Sequence, residues 1–216
     1  MDARTRRIVK DLLLKKAAED PAFRQALLDD HGAAIKATFG QDIPEGVELR
    51  VVEETPEFVY LVLPLPAPTR DSVVTLREIT RDSVRSVIAL ETTPEQKQFV
   101  APNAVSVAEA HFSPLAWMRA IYADETPVGF VLLSDDPEKP EYYLWRYMVG
   151  TEYQGLGFGF RALQLVVDYV RSRPGAKEML LSYVPGDGCP RDFYARMGFV
   201  DTGEQHGGEN VMRLEF

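Results

Sequence analysis

Cysteine is nearly absent from this chain: Cys189 is the one thiol in 216 residues. A disulfide framework within the chain and a cysteine-cluster metal site are therefore excluded, and a reducing cytoplasm is the expected compartment. Histidine is scarce as well. His31, His111 and His206 stand singly, without partners at helical spacing, so no zinc site assembles from local pattern and no metal is expected. No apolar run approaches the roughly 18 residues of a membrane span. Met1 to Asp20 mixes charges into its apolar positions where a secretory segment would be uniformly apolar. Basic side chains are outnumbered, 24 against 33 acidic, which leaves a formal charge of −9. That balance argues against a nucleic-acid partner, whose phosphates call for a cationic surface.

What is present is a globular composition, 45% hydrophobic and 26% charged. The length suits one domain of roughly 150 residues with a smaller unit attached. Composition changes at Pro64-Leu65-Pro66-Ala67-Pro68, where closely spaced prolines remove backbone donors and favour an extended spacer. Residues 1–63 are read as a leading domain, 64–72 as a linker and 73–216 as the main domain. In the first, Ile8, Val9, Leu12, Leu13 and Ala17 recur at helical spacing. Asp20-Pro21 reads as an N-cap with proline at the first helical position, opening a second helix that runs to Phe39 and ends at Gly40. Val47, Leu49 and Val51 then alternate with Glu48 and Arg50, and Glu54-Thr55-Pro56-Glu57 supplies a turn before the apolar stretch Phe58 to Leu63. The pattern predicts two helices and a β-hairpin.

The main domain alternates differently. Val74 to Ile79 reads as a strand and Arg81 to Glu91 as a helix. Met118 to Tyr122 and Gly129 to Leu133 form a hairpin across Asp124-Glu125-Thr126-Pro127, with Tyr142 to Val149 as a further strand. A long helix (Leu156 to Arg171), a strand (Met179 to Val184), a short helix (Arg191 to Met197) and a terminal hairpin (Val200 to Phe216, turning at Gly207-Gly208) complete it. The fold class is α/β, in the α+β sense of a mixed sheet with flanking helices.

Between a predicted strand and the long helix lies Gln154-Gly155-Leu156-Gly157-Phe158-Gly159. Glycines at a helix start let successive backbone N–H groups converge on an anion, and the helix dipole adds favourable potential for a phosphate. The plainer reading is a tight turn that packs closely. A dinucleotide fold would need G-x-G-x-x-G and an acidic end to the next strand, whereas this loop reads G-x-G-x-G and that strand ends at Val184-Pro185. No P-loop lysine follows. Further on, Phe193-Tyr194-Ala195-Arg196-Met197-Gly198-Phe199 closes the short helix and launches the last hairpin.

Together, Q-x-x-G-x-G at a strand-to-helix junction and F-Y-x-x-x-G-F after the next strand resemble the GNAT superfamily of acyl-CoA-dependent N-acyltransferases. The resemblance spans residues 73–216. Val128-Gly129-Phe130, Trp145-Arg146-Tyr147-Met148, Gly186-Asp187-Gly188 and Thr202-Gly203-Glu204 look like its bacterial spermine/spermidine acetyltransferase branch. It implies a GNAT-type sheet with acetyl-CoA or another acyl-CoA as co-substrate. The acyl carrier would be held by Tyr147, Met148 and Val149 on the strand, by Gln154, Gly155, Leu156, Gly157, Phe158 and Gly159 in the loop, and by Tyr194. Backbone amides of Tyr147 and Val149 would face the oxyanion, and the Tyr194 phenol would protonate the leaving thiolate. The alternative for Tyr194 is a core tyrosine beside Phe193 and Phe199.

An alkylamine, with a pKa of about 10.4, must lose a proton before it attacks. Glu91 and Glu95 are the candidates to meet a cationic amine or relay its proton, Glu91 as the catalytic one; as exposed glutamates they equally fit a solvated surface. Trp145 and Tyr147 share one strand face by alternation and would wall an acceptor channel, or else belong to the core. His111, beside Phe112, reads as structural. Cys189 precedes a helix N-terminus, which favours a thiolate, but the superfamily generally transfers directly.

The leading residues Asp20 to Leu28, Ile43-Pro44-Glu45-Gly46-Val47 and Tyr60 to Pro64 are similar to the nitrile-hydratase-like leader peptides of ribosomally made natural products. Nitrile hydratase chemistry itself needs clustered cysteines, which this chain lacks. The seam carries no double glycine for cleavage, so the segment is expected to stay attached. It would dock a leader-binding protein or cover the transferase; a plain stability domain is the alternative. The expected partners are a small-molecule amine or a peptide, with no nucleic acid and no membrane, and a homo-oligomer is compatible with the sequence. The rival reading is a non-catalytic CoA-binding or scaffold module.

Overall fold

The computed structural model describes residues 3–43, 47–63, 66–136 and 138–216. They fall into two units, one running to Pro66 and one from Ala67 to the end. Pro44-Glu45-Gly46 and, in the proline seam, Pro64-Leu65 lie outside the described residues.

In the leading unit α1 (Ala3–Glu19) and α2 (Pro21–Phe39) meet at Asp20. The Asp20 carboxylate pairs with Lys16 at 2.8 Å and accepts hydrogen bonds from the amides of Ala22 and Phe23, each 3.1 Å. Those contacts, Lys16 foremost, hold its pKa below the ordinary carboxylate value. Gly40, left-handed at φ 68°, closes α2 by donating its N–H to the Lys36 carbonyl. One difference from the expected helix is a break at Asp30 (φ −152°, ψ 90°), whose carboxylate accepts from the Ala33 amide at 2.9 Å and starts the helix anew.

The expected hairpin is not formed. Residues 47–63 carry no β-ladder, and of the hairpin only the turn closes, with Thr55 and Phe58 exchanging backbone hydrogen bonds at 3.1 and 3.2 Å. The physical reason is the size of the core. Among the described residues the unit buries Phe23, Leu27 and Ala34, backed by partly buried neighbours such as Phe39 and Val51. That is too little surface to hold a two-stranded ribbon, which is marginal on its own. Phe58 to Leu63 therefore runs exposed, Val59 and Leu61 to 83% each.

The larger unit is one seven-stranded sheet. Its strands are β1 (Val74–Arg77), β2 (Ala116–Ala123), β3 (Thr126–Asp136), β4 (Glu141–Val149), β5 (Glu178–Tyr183), β6 (Val200–His206) and β7 (Glu209–Glu215), in the order β1-β2-β3-β4-β5-β7-β6. Every neighbouring pair is antiparallel except β4 and β5. A parallel pair needs a crossover, and α5 (Phe158–Arg171) supplies it. Phe158, Ala162, Leu163, Val166, Val167 and Val170 line the buried face of α5 against the sheet. The short α3 (Val84–Ile88) and α4 (Asn103–His111) cover the other face, where Val87 and Ala110 meet Phe130, Leu132 and Met148. Because β3 is covered on both sides, Val131 and Leu133 serve one cluster and Phe130 and Leu132 the other. That explains its unbroken apolar run.

The helix expected over Arg81 to Glu91 is limited to α3. The long helix opens at Phe158 and not at Leu156, because Gly155 and Gly157 take left-handed conformations (φ 75° and 82°) that end any helical path through them. A 3-10 turn at Pro94–Gln98 and α6 (Arg191–Arg196) complete the elements around the site.

Candidate active site

The parallel strands β4 and β5 pair at Tyr143–Leu180 and Leu144–Leu181, and their pairing ends there. At the same level β4 carries a bulge: Leu133 of β3 faces Leu144 and Leu132 faces Arg146, leaving Trp145 without an opposite number. The extra residue also switches faces. Leu144 and Tyr147 pack on the α5 side, while Trp145 and Met148 pack with Val87 and Phe130 on the other. Simple alternation had put Trp145 and Tyr147 on one face; the bulge separates them. Beyond it, the Gly150 amide donates to the Val128 carbonyl at 2.8 Å, back toward β3. Since amides along a strand alternate in direction, those of Val149 and Tyr147 point the opposite way, into the gap left by β5.

That gap is part of a cleft of about 950 Å³ bordered by β4, the glycine loop, β5, α6 and residues 96–101. At its loop end Gly155 and Gly157 leave the space where a Cβ would stand open to 4 Å. No side chain caps α5 at Gly157, and the first four amides of a helix have no partner within it. A free cradle of N–H groups at a dipole's positive end fits a phosphate. The loop is braced from behind. Gln154 donates to the Val149 carbonyl at 2.9 Å and to Gln96 at 2.8 Å, tying the 94–98 turn to the end of β4. The Tyr147 hydroxyl donates to the Gly159 carbonyl at 2.6 Å, so its proton is already committed to holding the first turn of α5. Burial raises the Tyr147 pKa well above the ordinary phenol value.

Tyr194 lies on α6. Its ring lies edge-on to Phe193 and Phe199, with centroids 5.3 and 6.0 Å away, and is 7% exposed, yet it also borders the cleft. Burial pushes its pKa above the ordinary phenol value, so the group stays protonated and able to donate. No hydrogen bond engages its hydroxyl among the described residues.

Of the expected site residues, Trp145, Tyr147, Met148, Val149, Gln154, Gly155, Gly157, Phe158, Gly159 and Tyr194 come together at this cleft. Leu156 packs against the α5-side core instead. Glu91 and Glu95 do not border the cleft. Glu91 pairs with Lys97 at 2.9 Å and its carbonyl accepts from Thr151, while Glu95 is held by its own backbone amide and by Thr93, which lower its pKa. Ser182 and Glu209, which border the cleft, escaped the sequence reading. The polar Ser182 inside the apolar strand Met179 to Val184 was the available signal. Among the described residues no cluster of three or more His, Cys, Asp or Glu side chains is arranged to hold a metal, and no helix is long and apolar enough to cross a membrane.

A mixed sheet forked between its two parallel strands, with fork-facing amides on one and a glycine cradle where the crossover helix begins, defines a site for an acylated carrier that bears a diphosphate. The Acetyltransferase (GNAT) family matches residues 76–199, and the chain belongs to it. It is an acyl-CoA-dependent N-acyltransferase. Spermine/spermidine N(1)-acetyltransferase of Bacillus subtilis (strain 168) is 24% identical over 153 residues, 66% of this chain and 98% of that protein. Two solved structures share the fold. The PaiA N-acetyltransferase of Thermoplasma acidophilum in complex with coenzyme A has a TM-score of 0.51 at 15% identity, over 67% of this chain and 99% of that one. Spermidine N-acetyltransferase of Vibrio cholerae, in complex with CoA and spermine, has a TM-score of 0.51 at 16% identity, over 65% and 92%.

Proposed function

We propose that this enzyme moves an acetyl or other acyl group from acyl-CoA to a primary amine by direct transfer, with polyamines as the first acceptor class and a lysine or peptide amine as the second. The observation that carries the reading is that Tyr194, whose hydroxyl makes no hydrogen bond among the described residues, borders the same cleft as Tyr147 and Val149 of β4. Acyl-CoA supplies the activated thioester. The chain's own groups do the rest. Amides of the α5 N-terminus bind the diphosphate, the Tyr147 and Val149 amides receive charge that develops on the acyl oxygen, and Tyr194 gives its proton to the departing sulfur. The polyamine assignment is supported by the names of the relatives and by the net acidity of the chain. Incubation with acetyl-CoA and longer donors against spermine, spermidine, free lysine and short peptides, read by mass shift, tests it. A polyamine should gain one acyl group; turnover of none of these amines overturns the proposal.

For the leading unit we propose docking to a leader-binding protein in a ribosomal natural-product pathway, supported by the exposed run Phe58 to Leu63, which offers apolar side chains to a partner. A chain beginning at Asp71 should acylate small amines at the full-length rate and lose its advantage on a leader-bearing peptide. Equal rates on that peptide would leave the leading unit with no role in recognition.

A further inference from the structure

We propose that Glu209, held by Ser182, is the carboxylate that receives the acceptor's ammonium group and takes its proton. The inference rests on the acyl-transfer reading and adds the residue that selects the acceptor. Among the described residues two carboxylates border the cleft, Asp192 and Glu209. Asp192 is 84% exposed beside Arg191, 3.4 Å away. Glu209 forms no ion pair among the described residues; its carboxylate accepts a hydrogen bond from the Ser182 hydroxyl.

Position favours Glu209 further. Ser182 directly follows Leu181, the last β5 residue that pairs with β4, so the Ser182–Glu209 couple sits where the fork opens. Met179, Leu181 and Tyr183 pack on the α5 side, so Ser182 projects from the opposite face. Val211 stands across from Ser182 on β7, and Glu209, two residues earlier, shares its face. Tyr194 belongs to the α5-side cluster. The proton source for the leaving group and the proton sink for the amine thus belong to opposite faces of the sheet at the fork.

The groups around Glu209 leave its charge available. Tyr143 of β4 meets Ser182, and its pKa is raised by burial first and by the Glu209 charge as well, so it stays a neutral phenol. Arg146 of β4 places Nη2 3.4 Å from Glu109 of α4 and donates from Nη1 to the Trp145 carbonyl at 2.9 Å, while its buried Nε has no hydrogen-bond partner among the described residues. Lys97 of the 94–98 turn is paired with Glu91. Arg196 of α6 borders the cleft and is exposed. A cationic amine is the ligand an unpaired carboxylate on this wall would take. One proton of the ammonium passes to a Glu209 oxygen and on to solvent. The freed nitrogen pair forms the C–N bond as the C–S bond breaks, the Tyr194 proton goes to sulfur, and the second nitrogen proton returns to the Tyr194 oxygen through water.

The test uses the full chain as wild type, Glu209→Gln, Glu209→Asp and Ser182→Ala, with spermine as probe. Two readouts are taken: turnover with acetyl-CoA, and calorimetric binding of spermine to the protein already saturated with CoA. Glu209→Gln should lose about 100-fold in kcat/KM for the amine, bind spermine more weakly, and recover part of the rate as pH rises and free amine accumulates. Its CoA affinity and melting temperature should stay at wild-type values. Glu209→Asp should fall between, and Ser182→Ala should raise the amine KM more than it lowers kcat. Full amine efficiency in Glu209→Gln, or losses matched by equal losses in CoA binding and melting, overturns the assignment. If wild type turns nothing over, the transfer reading fails by itself, and the binding arm still decides Glu209: spermine heat lost in the variant upholds the ammonium site, and identical heat or none in wild type overturns it.

Discussion

Tyr194→Phe should cut kcat by about 100-fold while leaving CoA affinity and melting temperature at wild-type values. The ring does the packing, edge-on against Phe193 and Phe199, and phenylalanine keeps it. The hydroxyl makes no hydrogen bond among the described residues, so removing it leaves no partner stranded, and stability should hold or rise slightly. What disappears is a phenolic proton donor at the cleft. The pH dependence follows with its sign. Folding raises the Tyr194 pKa, so the phenol's stabilising effect is complete below its unfolded value near 10 and is lost as pH climbs from there toward the folded value. In the assay range the group does not titrate, and any basic limb of wild-type turnover below about pH 10 must come from another residue. The discriminating measurement is single-turnover acylation beside CoA calorimetry. A variant with full turnover reduces Tyr194 to a core residue, and one with weakened CoA binding reduces it to a binding residue.

The larger unit was legible because its signals are local and repeated. The aromatic and aliphatic run Tyr142 to Val149, the apolar stripe Leu163, Val166, Val167 and Val170, and the turn glycines each specify an element without reference to the others. The glycine loop was readable for a related reason: glycine takes the left-handed angles at positions 155 and 157 at least steric cost, so the backbone requirement is reflected in the residue type. The bulge at Trp145 was not readable. It depends on how β3 and β4 come into register, a tertiary event, and it reverses the facing of everything after it. Glu91 and Glu95 were chosen by charge and proximity to a helix end, and both are spent on local contacts with Lys97 and Thr93. Glu209 is far from them in sequence and reaches the cleft only because β7 inserts between β5 and β6. The hairpin misreading has the opposite cause. Alternation in residues 47–51 is a sound strand signal, but strand formation needs a face to cover, and the leading unit's small core offers none.

Gly157→Val should weaken coenzyme A binding by at least about tenfold. Gly157 sits at φ 82° immediately before the first residue of α5, and nothing lies within 4 Å of where a Cβ would go. The apo protein therefore has room for the side chain, so a steric clash inside the fold is not the mechanism. Two other effects are. A β-branched residue in the left-handed region costs about 1–2 kcal/mol, which the loop relieves by rotating and so turning its amides away from a common point. The branched side chain would also stand in the open cradle that the diphosphate is expected to fill. Gly40→Val supplies the control, because Gly40 has nearly the same φ, 68°, with equally open surroundings, but caps α2 in the leading unit. Both variants should melt a few degrees lower, and only Gly157→Val should lose CoA heat in calorimetry. At saturating acyl-CoA its kcat should return most of the way to wild type, since the Tyr147 and Val149 amides and Tyr194 are untouched. Undiminished CoA affinity in Gly157→Val would mean that the carrier is gripped elsewhere than at the start of α5.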